Sequence, residues 1–472
     1  MVSLFLFSCT GEFDQINIDP NNPAEPNTAL LLSNAMRHLG NQGSGIAGWA
    51  KDLYPQYMSE IQYTSESRFQ NKIYDYYGYY NGPLLDLQTV INLNTDGETS
   101  GLPYVQAGGS TENQIAVARI LQSFLFLHMT DRWGRIPYSE ALQGMENLTP
   151  KFDSQQEIYT GIFNTLEAAA QQLNPSGTLN GDILLDGDIG HWIKWANTLR
   201  MVAALHLSNV DEATAQAEFV AAAEASIISS NSDNVYFQYL ADANNQAPLY
   251  NNYFPANRKD YAVSEKVIEV LDGLDDPRLP VYAEPAIASG EFIGMPYGLA
   301  EGDDQLTQET VSMIGSKFTA QNYALPITTY AQVQFMMAEA AFRGWLSGDA
   351  AAYYNAGIEA SMEQHDVEAP ASYFSQNGVA YEESNALELI ITQKWIANYQ
   401  ANGYESWVDW RRTGIPALDP GPAPLSDNRE IPRRQGYSSS EPGLNEASYN
   451  AAIEAQGPDE FSTRVWWDGG NP

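Results

Sequence analysis

Residues 329–365 read TYAQVQFMMAEAAFRGWLSGDAAAYYNAGIEASMEQH, and two helices are written in them. Tyr330, Val333, Gln334, Met337, Ala338, Ala341 and Trp345 recur at the three-and-four spacing that gathers side chains on one helical face. The spacing predicts a helix over 328–346 and a second over 350–365, joined by Leu346-Ser347-Gly348-Asp349. Ala338, Ala341, Ala352 and Gly357 are small enough at the facing positions for the two backbones to approach closely. Such a pair buries its apolar faces fully only by stacking on neighbours, so the rest of the chain has to supply them.

It does. Ile158, Ile162, Leu166, Ala169 and Leu173 trace another stripe, as do Val117, Leu121, Phe124, Leu125 and His128. Further helices are expected near 27–39, 45–62, 76–93, 189–208, 213–230, 262–272 and 384–402. The pair over 328–365 has about the length of a tetratricopeptide repeat, although no clean period runs through the whole chain. Strands are expected only as short pieces near Val235–Tyr239 and Ile431–Tyr437. Polar loops occupy 94–111, 141–152, 174–188, 240–260, 284–324 and 413–460, and loops of this length in a compact fold are more often functional than accidental. The expected fold class is all-α, a scaffold of helix pairs with long decorating loops.

Composition narrows the function. Of 472 residues, 44% are hydrophobic and 12% aromatic, which excludes a disordered chain. Acidic residues number 59 against 23 basic ones, a formal net charge of −36. That surface repels phosphate backbones and offers no basic patch to anionic lipid, so nucleic-acid binding is excluded. A single cysteine excludes a disulfide framework and any multi-cysteine metal site. The five histidines show no metal-ligand spacing, and His128 reads as a hydrogen-bonded core residue. Asp182, Asp186 and Asp188 miss the EF-hand pattern and read as an acidic turn capping a helix that begins near Ile189. No cofactor is expected, and a structural calcium ion stays open. No nucleophile elbow, P-loop or dinucleotide fingerprint occurs, so the sequence supports no catalytic reading.

The aromatic residues carry the positive signal. Tyr74, Tyr76, Tyr77, Tyr79 and Tyr80 crowd together shortly after Tyr63, Arg68, Phe69 and Asn71. A sugar ring stacks its C–H face on an aromatic plane, while its hydroxyls need planar polar partners such as Arg and Asn. Tyr63, Arg68, Phe69, Asn71, Tyr74 and Tyr76 are therefore candidate ligand contacts. Tyr297 joins them because Gly294-Met295-Pro296-Tyr297-Gly298 lies in the long 284–324 loop, a natural rim. The competing reading is core packing, which is favoured for Tyr77 and Tyr80 beside the helix that follows. The net charge favours a neutral glycan unless Arg68 or calcium offsets repulsion of an anionic one.

Two resemblances follow from motifs. Val2 to Ser8 is an apolar stretch ending at Leu6-Phe7-Ser8-Cys9, and it resembles the lipobox of a bacterial lipoprotein. That resemblance makes residues 1–9 a signal remnant with Cys9 as the lipidation site, 10–26 a flexible tether, and 27–472 a single domain. The acidic residues after Cys9 resemble a tag for the cell surface. Asp131-Arg132-Trp133-Gly134-Arg135-Ile136-Pro137-Tyr138-Ser139-Glu140-Ala141-Leu142 resembles the signature of SusD/RagB-type lipoproteins. Trp192-Ile193-Lys194-Trp195-Ala196-Asn197-Thr198-Leu199, Asp276-Pro277-Arg278 and Thr329-Tyr330-Ala331-Gln332-Val333-Gln334-Phe335 with Ala338-Glu339-Ala340 resemble further family motifs, Gln332 standing where an acid is usual. Gln393-Lys394-Trp395, the Trp407 to Gly414 run and Val465-Trp466-Trp467-Asp468 complete the set, in family order. The resemblance implies four tetratricopeptide-like helix pairs and a non-catalytic lipoprotein at the outer membrane and cell surface. It also implies a protein that captures oligosaccharide, or in some members peptide, for a SusC-like TonB-dependent transporter. A surface glycosidase and a pure transporter scaffold are the remaining alternatives. The motif tryptophans are expected to be packing residues.

Overall fold

The computed structural model describes residues 27–43, 45–71, 73–302 and 305–471. The signal remnant, Cys9 and the whole tether lie outside the described residues. Principal helices are α1 (Thr28–His38), α2 (Leu85–Thr95), α3 (Thr111–Trp133), α4 (Gln155–Gln172), α5 (Ile189–His206) and α6 (Glu212–Ala223). They continue with α7 (Glu265–Gly273), α8 (Tyr330–Phe342), α9 (Ala350–Gln364), α10 (Ala386–Ala397), α11 (Gly403–Thr413) and α12 (Glu446–Gln456). Each helix packs on its neighbour in sequence from α1 to α6, and α8 sits against both α9 and α10. The expected class, helix pairs with few strands, is the fold observed.

The helix starts follow local chemistry. Thr329 caps α8 and Asp349 caps α9 through their side-chain oxygens, which accept the first free backbone N–H groups. Ser154 and Glu157 form a reciprocal capping box at α4. In α9, Gly357 lies so close to the Phe335 ring of α8 that a Cβ would meet it at 2.7 Å. The small residue is there to seat that ring.

Six short strands make three antiparallel pairs: β1 (Met58–Glu60) with β5 (Tyr261–Val263), β2 (Ile136–Pro137) with β3 (Phe152–Asp153), and β4 (Val235–Gln238) with β6 (Ala324–Thr328). Three expectations need correction. The helix expected over 45–62 survives only as Ala50–Leu53, because Pro55 follows and Gln56 takes a positive φ of 59°, turning the chain into β1. The helix expected over 76–93 is interrupted at Gly82 and Pro83 and resumes as α2. The strand expected over Ile431–Tyr437 does not form. Side chains claim its carbonyls instead: Trp407 Nε1 donates to Pro432 O at 2.8 Å and Trp133 Nε1 to Gly436 O at 3.0 Å.

The motif tryptophans are packing residues, and most find an internal acceptor. Trp192 donates to Asp182 Oδ2 (2.7 Å), Trp195 to Thr328 Oγ1 (3.0 Å) and Trp395 to Pro55 O (2.9 Å). Around them runs a lattice of buried charge. Arg412 pairs with Glu339 of α8 and with Asp409 (2.9 Å), and Lys394 of α10 closes on Asp409 at 2.8 Å. Arg411 donates to Asp131 O (2.6 Å) and stacks over Trp407 and Trp467 at 3.5 and 4.4 Å. His206 of α5 bridges Asp131 and Glu405, each at 3.2 Å. Burial opposes its charge, but the two carboxylates outweigh burial and lift it to about 9.

Burial likewise opposes ionisation of Glu339, yet Arg412 holds its carboxyl down to about 2. Its contribution is therefore present above the ordinary value of 4.5 and fades as pH falls through about 2. Glu339→Ala leaves Arg412 and Lys394 to share Asp409 in the core and is expected to cost about 3–5 kcal/mol in urea unfolding at neutral pH. A loss below about 1 kcal/mol would mean that the pair behaves as a solvated surface bridge.

Candidate functional site

The chain leaving β1 and the chain beyond α7 form the two walls of one cleft. Its volume is about 760 Å³. Residues Ile61 to Thr64 make one wall, and Met295 with Leu299 to Gly302 and Leu306 to Glu309 make the other. The β1–β5 pairing sets this arrangement. Met295 N donates to Val263 O at 2.8 Å and Ser59 Oγ to Pro296 O at 2.9 Å, so the second wall is laid along the small sheet. Ala262, Met295 and Val311, with Ile61, Leu299 and Leu306, form its apolar floor. Gln62, Thr64, Glu301, Thr307 and Gln308 supply the polar rim.

Tyr63 stands at the mouth, 57% exposed, with the Arg258 guanidinium 5.0 Å from its ring centre. Arg258 is itself held by Asp260 at 2.8 Å, and Gln308 Nε2 donates to Arg258 O at 2.9 Å. These bonds tie the two walls together beside the ring. Glu60, the last residue of β1, anchors the following turn. Its Oε2 accepts from Glu66 N (3.0 Å), Ser67 N (2.8 Å) and Ser67 Oγ (2.9 Å). The arrangement offers one aromatic face, an apolar floor and several hydroxyl and amide partners. It suits reversible binding of a polyhydroxylated chain.

Of the residues singled out from sequence, Tyr63 lines this cleft. Arg68 instead clamps another loop: its Nε donates to Ala423 O at 2.8 Å and its carbonyl accepts from Leu425 N at 2.6 Å. Asn71 is exposed but does not line the cleft. Tyr74 is half-buried against the main core, its hydroxyl 3.3 Å from that of Tyr54. Phe69, Tyr76 and Tyr297 are corrections: they are 2%, 0% and 7% exposed and none lines this cleft, although Tyr297 and Tyr76 border two smaller hollows elsewhere. Phe69 packs between Tyr54 and Tyr297, Tyr297 donates to Leu53 O at 2.7 Å, and Tyr76 donates to Glu441 beside Trp133. The 284–324 loop does form a rim, but through Leu299, Glu301 and Gln308 rather than Tyr297. The only sequence signal for those residues was loop length.

The Asp182 turn also resolves. Asp182 Oδ1 accepts from Leu184 N and Leu185 N, and its Oδ2 from Gly187 N and Trp192 Nε1. Asp188 caps α5 through His191 N. These carboxylates hold backbone. Among the described residues, no cluster of His, Cys, Asp and Glu could hold a metal ion. His128 is the buried core histidine expected, with Tyr79 and Arg132 as partners.

A family model described as "Starch-binding associating with outer membrane", named SusD-like, matches residues 20–438. Among solved structures, one titled a chitin-binding protein is 28% identical with a TM-score of 0.81, covering 94% of this chain and all (100%) of that one. A chitin-binding SusD homolog from Flavobacterium johnsoniae is 24% identical (TM-score 0.78), covering 93% of this chain and 98% of that one. A SusD homolog from Bacteroides uniformis is likewise 24% identical (TM-score 0.77), covering 93% and 99%. Among curated proteins, none matches the chain.

Burial raises the Glu60 carboxyl to about 7 despite its three hydrogen-bond donors. A carboxyl raised this way favours the folded state below its ordinary value of 4.5 and loses that advantage as pH rises through about 7. Glu60→Gln is therefore expected to flatten the decline in stability between pH 5 and 8, measured by urea unfolding at both. An unchanged slope would place the titration elsewhere.

Proposed function

The chain belongs to the SusD-like family, and from that premise we propose that it is a cell-surface glycan-binding lipoprotein that breaks no bonds. In this reading residues 27–472 act as one unit, tethered by 10–26 to a lipidated Cys9 at the outer membrane. The unit captures a neutral oligosaccharide in the Tyr63 cleft and delivers it to a SusC-like TonB-dependent transporter. The observation that carries the reading is the cleft itself, with an exposed ring over an apolar floor and a polar rim. The chitin-binding neighbour at 28% identity makes chitin-derived oligosaccharides the first probe, with starch-derived ones second. Arg68, Asn71 and Tyr74 remain outer candidates for a longer chain.

A shallow, solvent-facing site gains little from burial and loses ligand freedom, so affinity is modest. Peptide capture is the second reading, favoured by nothing in the cleft beyond its polar rim. Affinity electrophoresis through gels holding neutral and anionic polysaccharides tests the proposal. Retardation without shortening of the polymer supports it, and release of reducing ends would replace it with a hydrolase. Tyr63→Ala is expected to weaken binding about tenfold, equivalent to about 1.4 kcal/mol, while leaving the unfolding midpoint unchanged. Phe69→Ala, by contrast, should cost about 3–5 kcal/mol of stability as a core truncation. Undiminished binding by Tyr63→Ala would remove the cleft as the ligand site.

A further inference from the structure

A second groove, of about 770 Å³, opens where the end of α1 meets the end of β4 and the turn that follows. Tyr239 closes its base by donating to Gly40 O at 2.7 Å. Its lining contains no carboxylate, although the chain carries 59 acidic residues. It contains six side-chain amides (Asn41, Gln42, Gln238, Asn244, Asn245 and Gln246) and one guanidinium, Arg37, which donates to Asn34 Oδ1 at 3.1 Å. On a surface this acidic, a carboxylate-free, amide-rich hollow is a marked local departure.

The amides divide into fixed and available groups. Gln238 Nε2 donates to Tyr239 O (2.8 Å) and Asn322 O (2.6 Å). Asn245 Nδ2 donates to Asp242 at 3.0 Å. Gln246 donates to Asn251 Oδ1 (3.1 Å) and accepts from Gln321 Nε2 (3.0 Å). Gln238 and Asn245 are thereby held with their amide oxygens free to accept. Gln42 and Asn244 have no side-chain hydrogen-bond partner among the described residues, and both are exposed. Each amide presents a donor and an acceptor in one plane, the complement of a vicinal diol or an acetamido group. Leu240 and Ile183, both exposed on the same lining, offer apolar surface to the C–H face of a sugar ring.

We infer that this groove is a second carbohydrate-binding site, separate from the Tyr63 cleft, that holds the hydroxyl and acetamido groups of an oligosaccharide. The inference rests on the reading of the protein as a glycan binder. The absence of carboxylates spares a bound ligand the cost of dehydrating charged acids beneath it. The fixed amides supply prearranged contacts, which lowers the ordering cost of binding.

Titration calorimetry with chitohexaose and with maltohexaose tests the site, using the whole chain after Cys9. The double variant Gln42→Ala/Asn244→Ala removes two exposed side chains with no internal partner, so its unfolding midpoint should match the parent. Two binding events per chain are expected for the parent, one for this variant and one for Tyr63→Ala. A parent stoichiometry of one that Tyr63→Ala abolishes, or a double variant with unchanged stoichiometry and affinity, overturns the groove and leaves the cleft standing. Binding that survives Tyr63→Ala but vanishes in the double variant retains the groove and removes the cleft. No binding of either hexaose overturns both.

Discussion

The pair formed by Arg411 and Arg412 at the end of α11 is the constraint on which the rest of the structure depends. These two adjacent side chains point into different parts of the core. Arg412 reaches Glu339 of α8 and Asp409, and through Asp409 it meets Lys394 of α10. Arg411 reaches the last turn of α3 and the C-terminal Trp467. Buried ion pairs gain little net stability over well-packed apolar residues, because desolvation consumes most of the Coulomb energy. Breaking one is nevertheless costly. Such a lattice therefore acts on arrangement: α3, α5, α8, α10 and α11 fit together so that the buried pairs meet, or they leave a charge stranded in the core.

That arrangement has a consequence at the surface. The chain has only 23 basic residues, and Arg132, Arg278, Arg411, Arg412, Arg434 and Lys394 are all buried. Buried acids such as Asp276, Glu339 and Asp409 are withdrawn with them as partners, so the acidic excess of the sequence is left on the exterior. The candidate cleft is displaced from this lattice. It is built on the β1–β5 pair and the loop beyond α7, where Glu60 and Met295 organise backbone. A loop site can then vary without disturbing the matched charges of the helical scaffold.

Legibility in the sequence follows the same division. The helix pair at 329–365 was readable because its period, its caps and its small contact residues are all local signals. The tryptophan motifs were readable as packing. Their partners, including Pro432 O for Trp407 and Gly436 O for Trp133, were not, since nothing local announces which carbonyl a buried indole will find. The candidate site shows why aromatic clusters mislead. Tyr63 and Tyr76 are chemically identical in sequence, and what separates them is a long-range partner. Tyr76 is drawn inward by Glu441, 365 positions away, and Tyr297 by Leu53, 244 positions away. Tyr63 has a positive φ of 59° and turns outward. A tyrosine with a distant acceptor is pulled into the core, and a sequence does not display that acceptor.

The charge distribution also governs what kind of ligand the surface tolerates. At physiological ionic strength the field of an exposed carboxylate decays over about 8 Å, so only acids near a site matter to its occupant. Glu301 and Glu309 line the Tyr63 cleft, with Arg258 beside the ring. A uronic acid or sulfated sugar there meets carboxylates that one guanidinium, already paired with Asp260, does not offset. A neutral sugar meets the same groups as hydrogen-bond acceptors for its hydroxyls and bears no repulsion. The amide-lined groove, bordered by one guanidinium and no carboxylate, offers planar donors and acceptors without that repulsion. In the proposed reading both hollows suit a hydroxyl-rich chain, by different side-chain chemistry.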